Sequence, residues 1–256
     1  MKLSFLGTGT SQGVPMIGCS CEVCHSLDFR DKRLRTSVLV ETENTAIVVD
    51  AGPDFRQQML RKGQRRLDAV LITHEHKDHV AGLDDVRAFN FLQEKSMPVY
   101  GLPRVLNQLK VEYAYAFAEH KYPGVPKIEL NELQSGDDLQ VGDLQIHAME
   151  VMHARLPILG FRIGKLAYIT DANFLNAETL KQIKGSEVLV LNALQKQDHI
   201  SHFTLAEAVE LAQATGIPKV YFIHMSHRMG RHAIIEKELP PGIQLAWDGL
   251  QIDIPN

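Results

Sequence analysis

The chain has 256 residues, 45% apolar and 23% charged, enough to enclose a sizeable core. Its net charge of -4 disfavours a protein that grips nucleic acid through a broad basic face, and no apolar run approaches a membrane span. The opening MKLSFLGTGTSQG reads as a strand entering a turn rather than a secretory signal, so a cytoplasmic protein is expected. LSFLG, TSVLVET and TAIVVDAG alternate and are β-branched, predicting three opening strands. PDFRQQMLRKG predicts a helix with Pro53 in its first turn. LDAVLIT predicts a buried strand, HVAGLDDVRAFNFLQ a helix, MPVYG a strand and LPRVLNQLKVEYAYAF a second helix. After the irregular HKYPGVPK comes a second β-rich block, LQVGDLQIHAMEVMH, ILGFRI and KLAYIT. A helix near 176–184, strand EVLVL, helix LAEAVELAQAT, strand KVYFI, a helix near 230–239 and strands IQLAWDG and LQIDIP complete the order. No repeat or long linker divides the chain, so one domain spanning 1–256 is expected. Its class is α/β (α+β), with two mixed sheets packed together and helices outside.

The stretch LITHEHKDHVAGLDD places His74, His76, Asp78 and His79 at the tip of a buried strand, where unpaired polar groups are costly. Extended backbone sends alternate side chains to one side, so His74 and His76 can converge on one ion while Asp78 and His79 face a neighbouring space. Imidazole and carboxylate suit zinc, manganese or iron. Further donors stand where apolar strands give way to loops: His153, Asp171 and His224. Taken singly, each of these three is better read as structural, Asp171 as a turn residue, and Asp78 as a helix cap. The clustered tetrad reverses that weighting, because four separate coincidences would be needed. A dinuclear metal site is expected.

The three cysteines all lie within GCSCEVC at 18–24, which is no disulfide framework. Cys19, Cys21 and Cys24 offer three thiolates to a tetrahedral zinc; free thiols or an oxidisable pair are the alternatives. HMSH at 224–227 offers His227 as the fourth ligand, and His25 is the local competitor in the Cys-rich loop 18–25.

The string His74-x-His76-x-Asp78-His79, followed by His153, Asp171 and His224 in that order, resembles the metallo-β-lactamase superfamily. The resemblance implies an αββα four-layer sandwich with metals between the sheet edges. It assigns His74, His76 and His153 to one metal and Asp78, His79 and His224 to another. Asp171 bridges both, and Asp50 in IVVDAG supports the site from beneath. LGTGTSQGVPMIGCSCEVC together with HMSH resembles the phosphoribosyl 1,2-cyclic phosphate phosphodiesterase family more narrowly, which implies a structural zinc on Cys19, Cys21, Cys24 and His227. The pyrroloquinoline quinone biosynthesis B group shares the cysteine loop, but its active-site ligand set is usually incomplete. This chain keeps all seven, which favours a working hydrolase.

QDHISHFTLAE carries His202 just before a capping box, Thr204-x-x-Glu207, at a helix start that favours anions. A protonated imidazole there can bind a phosphate oxygen or protonate a leaving group; a solvated loop histidine fits the spacing equally well. The phosphodiesterase resemblance places His202 near the scissile phosphate. His199 reads as solvated, and His120, His147 and His232 are unassigned. The Gly7–Gly13 turn lacks the features of a phosphate loop and reads as close backbone packing beside the cysteines. Arg30 to Arg35 and Arg61 to Arg66 read as solvated faces, although either can meet a terminal phosphate. Residues 111–126 are read as a lid or as a surface helix with packed aromatics.

The expected function is a metal-dependent phosphodiesterase acting on a small cyclic phosphate or nucleotide-like diester, such as phosphoribosyl 1,2-cyclic phosphate. Water activated between two divalent metals, Mn or Zn, would attack phosphorus, with Asp78 and His202 as catalytic side chains and one structural Zn alongside. The alternatives are thioester or lactone hydrolysis on the same metals, a tRNA 3′-processing nuclease, and a non-catalytic cofactor-handling protein. A small phosphodiester is the expected partner. Membrane and nucleic acid are disfavoured, and a homodimer is left open.

Overall fold

The computed structural model describes residues 1–120 and 122–255. Lys121, within the candidate lid 111–126, lies outside the described residues, as does Asn256. The first sheet contains β1 (Lys2–Gly7), β2 (Ser37–Glu41), β3 (Ala46–Val49), β4 (Ala69–Leu71), β5 (Met97–Gly101) and β6 (Ile128–Glu132). The second contains β7 (Asp138–Val141), β8 (Leu144–His153), β9 (Leu156–Ile163), β10 (Leu166–Ile169), β11 (Val188–Asn192), β12 (Lys219–Ile223) and β13 (Ile243–Leu245). The last strand, β14 (Gln251–Asp253), returns to the first sheet beside β1. The orders are β14-β1-β2-β3-β4-β5-β6 and β13-β12-β11-β10-β9-β8-β7. In each sheet one half is antiparallel, and the half from β3 to β6 or from β10 to β13 is parallel. Parallel neighbours need crossovers, and these supply the helices.

Those helices are α1 (Phe55–Lys62), α2 (Lys77–Val80), α3 (Arg87–Gln93), α4 (Pro103–Glu112) and α5 (Ala114–Phe117), then α6 (Ala177–Gln182), α7 (Leu205–Thr215) and α8 (His232–Ile235). Strand alternation sorts the layers. Phe5, Val38, Val40, Ile47 and Val49 face Ile146, Ala148, Phe161, Tyr168 and Val190 between the sheets. Leu39, Val48 and Val70 turn outward to Phe55, Met59, Phe89 and Leu106 on the first helical layer. Ala167, Ile169, Leu189 and Leu191 do the same under Leu205, Ala208 and Ile235. Strands covered on both faces read as unbroken apolar runs, which is why TAIVV and EVLVL stand out. The result is the expected αββα sandwich, and no described helix is long and apolar enough to cross a membrane.

Four local expectations are corrected. Pro53 precedes the N-cap Asp54 and so lies outside the first turn of α1. HVAGLDDVRAFNFLQ is not one helix: the Gly82 N–H bonds the Ala51 carbonyl at 2.9 Å, and α2 gives way to a 3-10 turn, Leu83–Val86, ahead of α3. The long helix at 102–117 breaks at Tyr113, whose hydroxyl donates to the Val80 carbonyl at 2.7 Å. The helix near 230–239 contracts to α8 and one 3-10 turn, Glu236–Glu238. In addition, the sequence reading omitted β6, IELNE, a largely polar edge strand that pairs with β5 and packs Ile128 and Leu130 against the core.

The loop before β14 is tied to the opening turn by Asp248, whose side chain is only 3% exposed. It accepts from Thr8 N–H at 2.9 Å, Thr8 Oγ1–H at 2.8 Å and Leu34 N–H at 2.8 Å. Burial outweighs these bonds and the nearby Arg61, and pushes the carboxyl up to about 6 from 3.8. The folded chain therefore holds a proton here that the unfolded chain has already lost, so this contribution to stability falls as pH rises from about 4 to about 6. At 1.36 kcal/mol per pKa unit the loss is about 3 kcal/mol. Urea midpoints at pH 4.5 and 7 should differ less in Asp248→Asn than in the parent; identical slopes would remove Asp248 as the cause.

Candidate metal-centred active site

The chain delivers polar side chains to one crevice from the carboxyl ends of β3, β4, β8, β10 and β12, where open α/β sheets commonly bind ligands. Asp50, Asp171 and His224, each just past a strand, adopt left-handed backbone with φ of 65°, 57° and 56°. Such conformations strain non-glycine residues, and they cluster at functional sites. Gly52 admits the metal-ligand loop, since a Cβ there would lie 1.9 Å from the Asp78 carbonyl oxygen.

All seven donors expected from the sequence come together. Ring nitrogens of His74, His76 and His153 lie within 4.8 Å of one another, and so do donor atoms of Asp78, His79, Asp171 and His224. Asp171 touches both groups: its Oδ2 is 3.8 Å from His74 Nε2, 3.3 Å from His79 Nε2 and 3.1 Å from His224 Nε2. Asp78 Oδ2 stands 3.2 Å from His79 Nε2, and His74 Nε2 lies 2.9 Å from His76 Nδ1.

The outer nitrogens set the tautomers. His79 Nδ1–H donates to Asp50 Oδ2 at 2.7 Å, which leaves Nε2 facing the crevice. Thr73 Oγ1–H donates to Asp50 at 2.9 Å and accepts from His74 Nδ1–H at 3.0 Å. His153 Nδ1–H donates to the carbonyls of Asp171 at 2.7 Å and Ser201 at 3.0 Å. The inner nitrogens of His79 and His224 are buried without a hydrogen-bond partner, although Asp171 is close by. A largely buried donor set, with the tautomers of His74, His79 and His153 fixed from outside and a shared carboxylate between the two groups, fits divalent cations.

The electrostatics divide the crevice. Burial opposes charge on His79, but Asp171, Asp50 and Asp78 outweigh it and hold the ring well above its usual range. Against the same burial, Asp171 and Asp78 raise His224 to about 9. Asp171 stays well below the carboxylate range despite burial, because His224 and His79 face it. On the other side, burial and the charge on His79 push His74 down.

His202 is drawn into this cluster. Its ring lies 4.8 Å from those of His153 and His224, and 5.0 Å from His199 stacked above it. Burial, aided by His224, lowers it to about 3, so the imidazole is neutral at neutral pH rather than protonated as the sequence reading expected. The capping box is formed, with Glu207 N–H donating to Thr204 Oγ1 at 3.2 Å. His202 also falls within ligand range of His153 and Asp171. His147 pairs with Asp138 at 2.8 Å on the second sheet, and His232 packs edge-on to Trp247.

Cys19, Cys21, Cys24 and His227 form a separate donor cluster, and His25 is not in it. Cys19 Sγ and Cys21 Sγ lie 3.2 and 3.3 Å from His227 Nδ1. The Cys24 N–H donates to Cys21 Sγ at 3.4 Å, and this bond leads the causes that pull the Cys21 thiol to about 6. Burial pushes the Cys24 thiol up to about 11. A tetrahedral zinc suits four such donors.

Sequence reasoning missed the threonines that hold the ligands. Thr73 joins Asp50 to His74, and Thr170 Oγ1–H donates to Asp171 Oδ1 at 2.7 Å. The signal was a threonine directly before His74 and before Asp171, each at a strand end. The solvated-face reading of the basic runs holds in part only. Arg30 pairs with Asp28 and Arg35 with Asp54, but Arg33 is completely enclosed.

A model of the beta-lactamase superfamily domain matches residues 45–225, and the chain belongs to that superfamily, with the metallo-β-lactamase sandwich and His/Asp clusters able to hold metal. It is similar to the crystal structure of a diphosphatase from the PhnP family, with 35% identity and a TM-score of 0.92 over 99% of this chain and 98% of that one. Over 98% of its length it is 42% identical to an octanoyltransferase of Porphyromonas gingivalis, of which it spans only 51%. A ribonuclease Z of Methanopyrus kandleri is 24% identical over 87% of this chain and 92% of that protein.

Proposed function

We propose that the protein is a metal-dependent phosphodiesterase for a small cyclic phosphate or nucleotide-like diester. The observation that carries this reading is Asp171 Oδ2, set within 3.8 Å of donors from both ligand groups. Two cations held a few ångströms apart, as such a carboxylate allows, suit in-line displacement at phosphorus. The likeness to a diphosphatase and to a ribonuclease Z supports phosphoryl rather than acyl chemistry.

His74, His76 and His153 would hold one cation, Asp78, His79 and His224 the other, and Asp171 both; manganese and zinc each suit these donors. The pair, when bound, supplies a nucleophile from water at neutral pH and neutralises phosphoryl charge. Asp50 and Thr73 keep His79 and His74 turned with Nε2 inward. Asp78 stays ionised, because His79 and His224 outweigh its burial. Neutral His202 walls the crevice between His153 and His224, where a ring N–H can donate a hydrogen bond to the oxygen of a departing alkoxide and stabilise its developing charge. Cys19, Cys21, Cys24 and His227 would hold a structural zinc. A small soluble diester is the proposed partner, free of membrane and nucleic acid.

The second reading is acyl thioester hydrolysis on the same metals, favoured by the 42% identity to half of an octanoyltransferase. Protein stripped and reloaded with Mn or Zn, assayed on cyclic phosphates, dinucleoside diphosphates, bis(p-nitrophenyl) phosphate and an octanoyl thioester, separates the two. The phosphodiesterase reading expects metal-stimulated diester cleavage, with His202→Ala lowering it about 10²- to 10³-fold, the cost of losing one hydrogen-bond donor to developing charge. A thiolate leaves without a proton, so thioester cleavage should lose far less. Turnover of the thioester alone would replace the first reading with the second.

A further inference from the structure

Arg33 sits in a charged run, RDKRLR, yet its side chain is 0% exposed. A guanidinium is costly to bury unless its donors are used. Here the fork spreads over three acceptors: Nε donates to the Arg30 carbonyl, Nη2 to Asp31 Oδ1 and Nη1 to the Ser226 carbonyl, each at 3.3 Å. The last of these bonds spans 193 residues of sequence.

Ser226 lies between His224, a candidate donor to the paired cations, and His227, the fourth donor of the thiolate cluster. Its carbonyl also takes the Met229 N–H at 3.2 Å, closing the turn that carries His227. Asp31 reaches the far end of the same loop, since its Oδ1 accepts the His232 N–H at 2.8 Å. The Arg33 backbone pairs with Val14 in both directions, at 2.7 and 2.8 Å, where the cysteine loop begins. One buried ion pair therefore holds the root of the cysteine loop and both ends of the segment 226–232.

We infer that Arg33 is a positioning residue that couples the two metal centres through the Ser226 peptide. His224 has strained backbone and keeps it only where neighbours over-determine it. Arg33 fixes the peptide two residues on, so the segment presents His224 to one centre and His227 to the other at the same time. Because both ligand sets close on one segment that Arg33 makes move as a unit, ordering that segment at either centre raises the affinity of the other, and the effect is reciprocal. The inference rests on the proposed ligand assignments and concerns metal affinity, whatever the substrate.

Cobalt(II) titration of metal-free protein tests it, since thiolate-to-cobalt charge transfer reports filling of the cysteine centre, and cobalt bound beyond that signal, counted by equilibrium dialysis with elemental analysis, reports the His/Asp centre. Arg33→Met should weaken cobalt at the His/Asp centre about 10- to 100-fold, the usual cost of losing an outer partner of a ligand. Arg33→Lys keeps the charge but cannot span three acceptors, and should fall between. Prior filling of the cysteine centre should tighten the His/Asp centre in the parent and not in Arg33→Met. Folded variants with parental affinities at both centres, even with a lowered Tm, would overturn the role. Failure of both variants to fold would make Arg33 a folding residue and overturn it too. Parental protein that takes up no cobalt at the His/Asp centre would instead remove the ligand assignment itself.

Discussion

Asp171→Asn is expected to lower metal-dependent turnover by about a thousandfold or more, because on the proposed assignment several kcal/mol of metal-derived transition-state stabilisation would depend on this carboxylate. Its Oδ2 is placed against donors of both groups. The amide removes the charge that would hold the proposed pair of cations and retains the shape. Asparagine is also the non-glycine residue that best tolerates left-handed backbone, so φ of 57° adds little strain. Thr170 Oγ1–H can still donate to the remaining carbonyl oxygen. The loss should therefore appear in metal content and kcat/KM while near-ultraviolet circular dichroism stays parental. A variant that retains two metals per site and turns over within tenfold of the parent would show that Asp171 does not bridge.

Much of this centre was legible because its residues interrupt apolar strands. His74, His153, Asp171 and His224 each follow a run that packs on both faces, so a polar residue at its end is conspicuous. What was illegible depends on distant contacts. The protonation of His202 is set by burial beneath rings arriving from β8 and from beyond β12, and no local spacing announces them. Arg33 looks like its charged neighbours until Ser226 and Asp31 close around it. β6 escaped notice because an edge strand needs backbone partners rather than an apolar pattern. The break at Gly82 follows from a bond to Ala51, which belongs to the turn beneath the metal-ligand loop.

Cys21→Ser should release one zinc per chain and lower turnover about 10- to 100-fold at the same time, although residue 21 is no donor to the paired cations. The cysteine loop has little core of its own: Val14, Val23 and Cys24 form a small buried cluster, with Met16, Cys19 and Cys21 partly covered against it. Its order therefore depends on the cross-link to His227, whose Nδ1 lies 3.3 Å from Cys21 Sγ. A serine hydroxyl lacks the easily formed thiolate that the Cys24 N–H favours at position 21, so the fourth bond to zinc is lost. His227 is then released three residues from His224, in a segment already strained at φ 56°. Metal binding and folding are linked in such loops, so limited proteolysis should open the segment between Val14 and Asp28 first. Elemental analysis alongside kcat/KM checks the coupling, and full turnover by a variant shown to lack that zinc would break it. The fall should be in kcat with Mn or Zn below saturation and should shrink as added metal refills the His224 centre, because the cysteine centre acts by holding a ligand in place and takes no part in bond breaking.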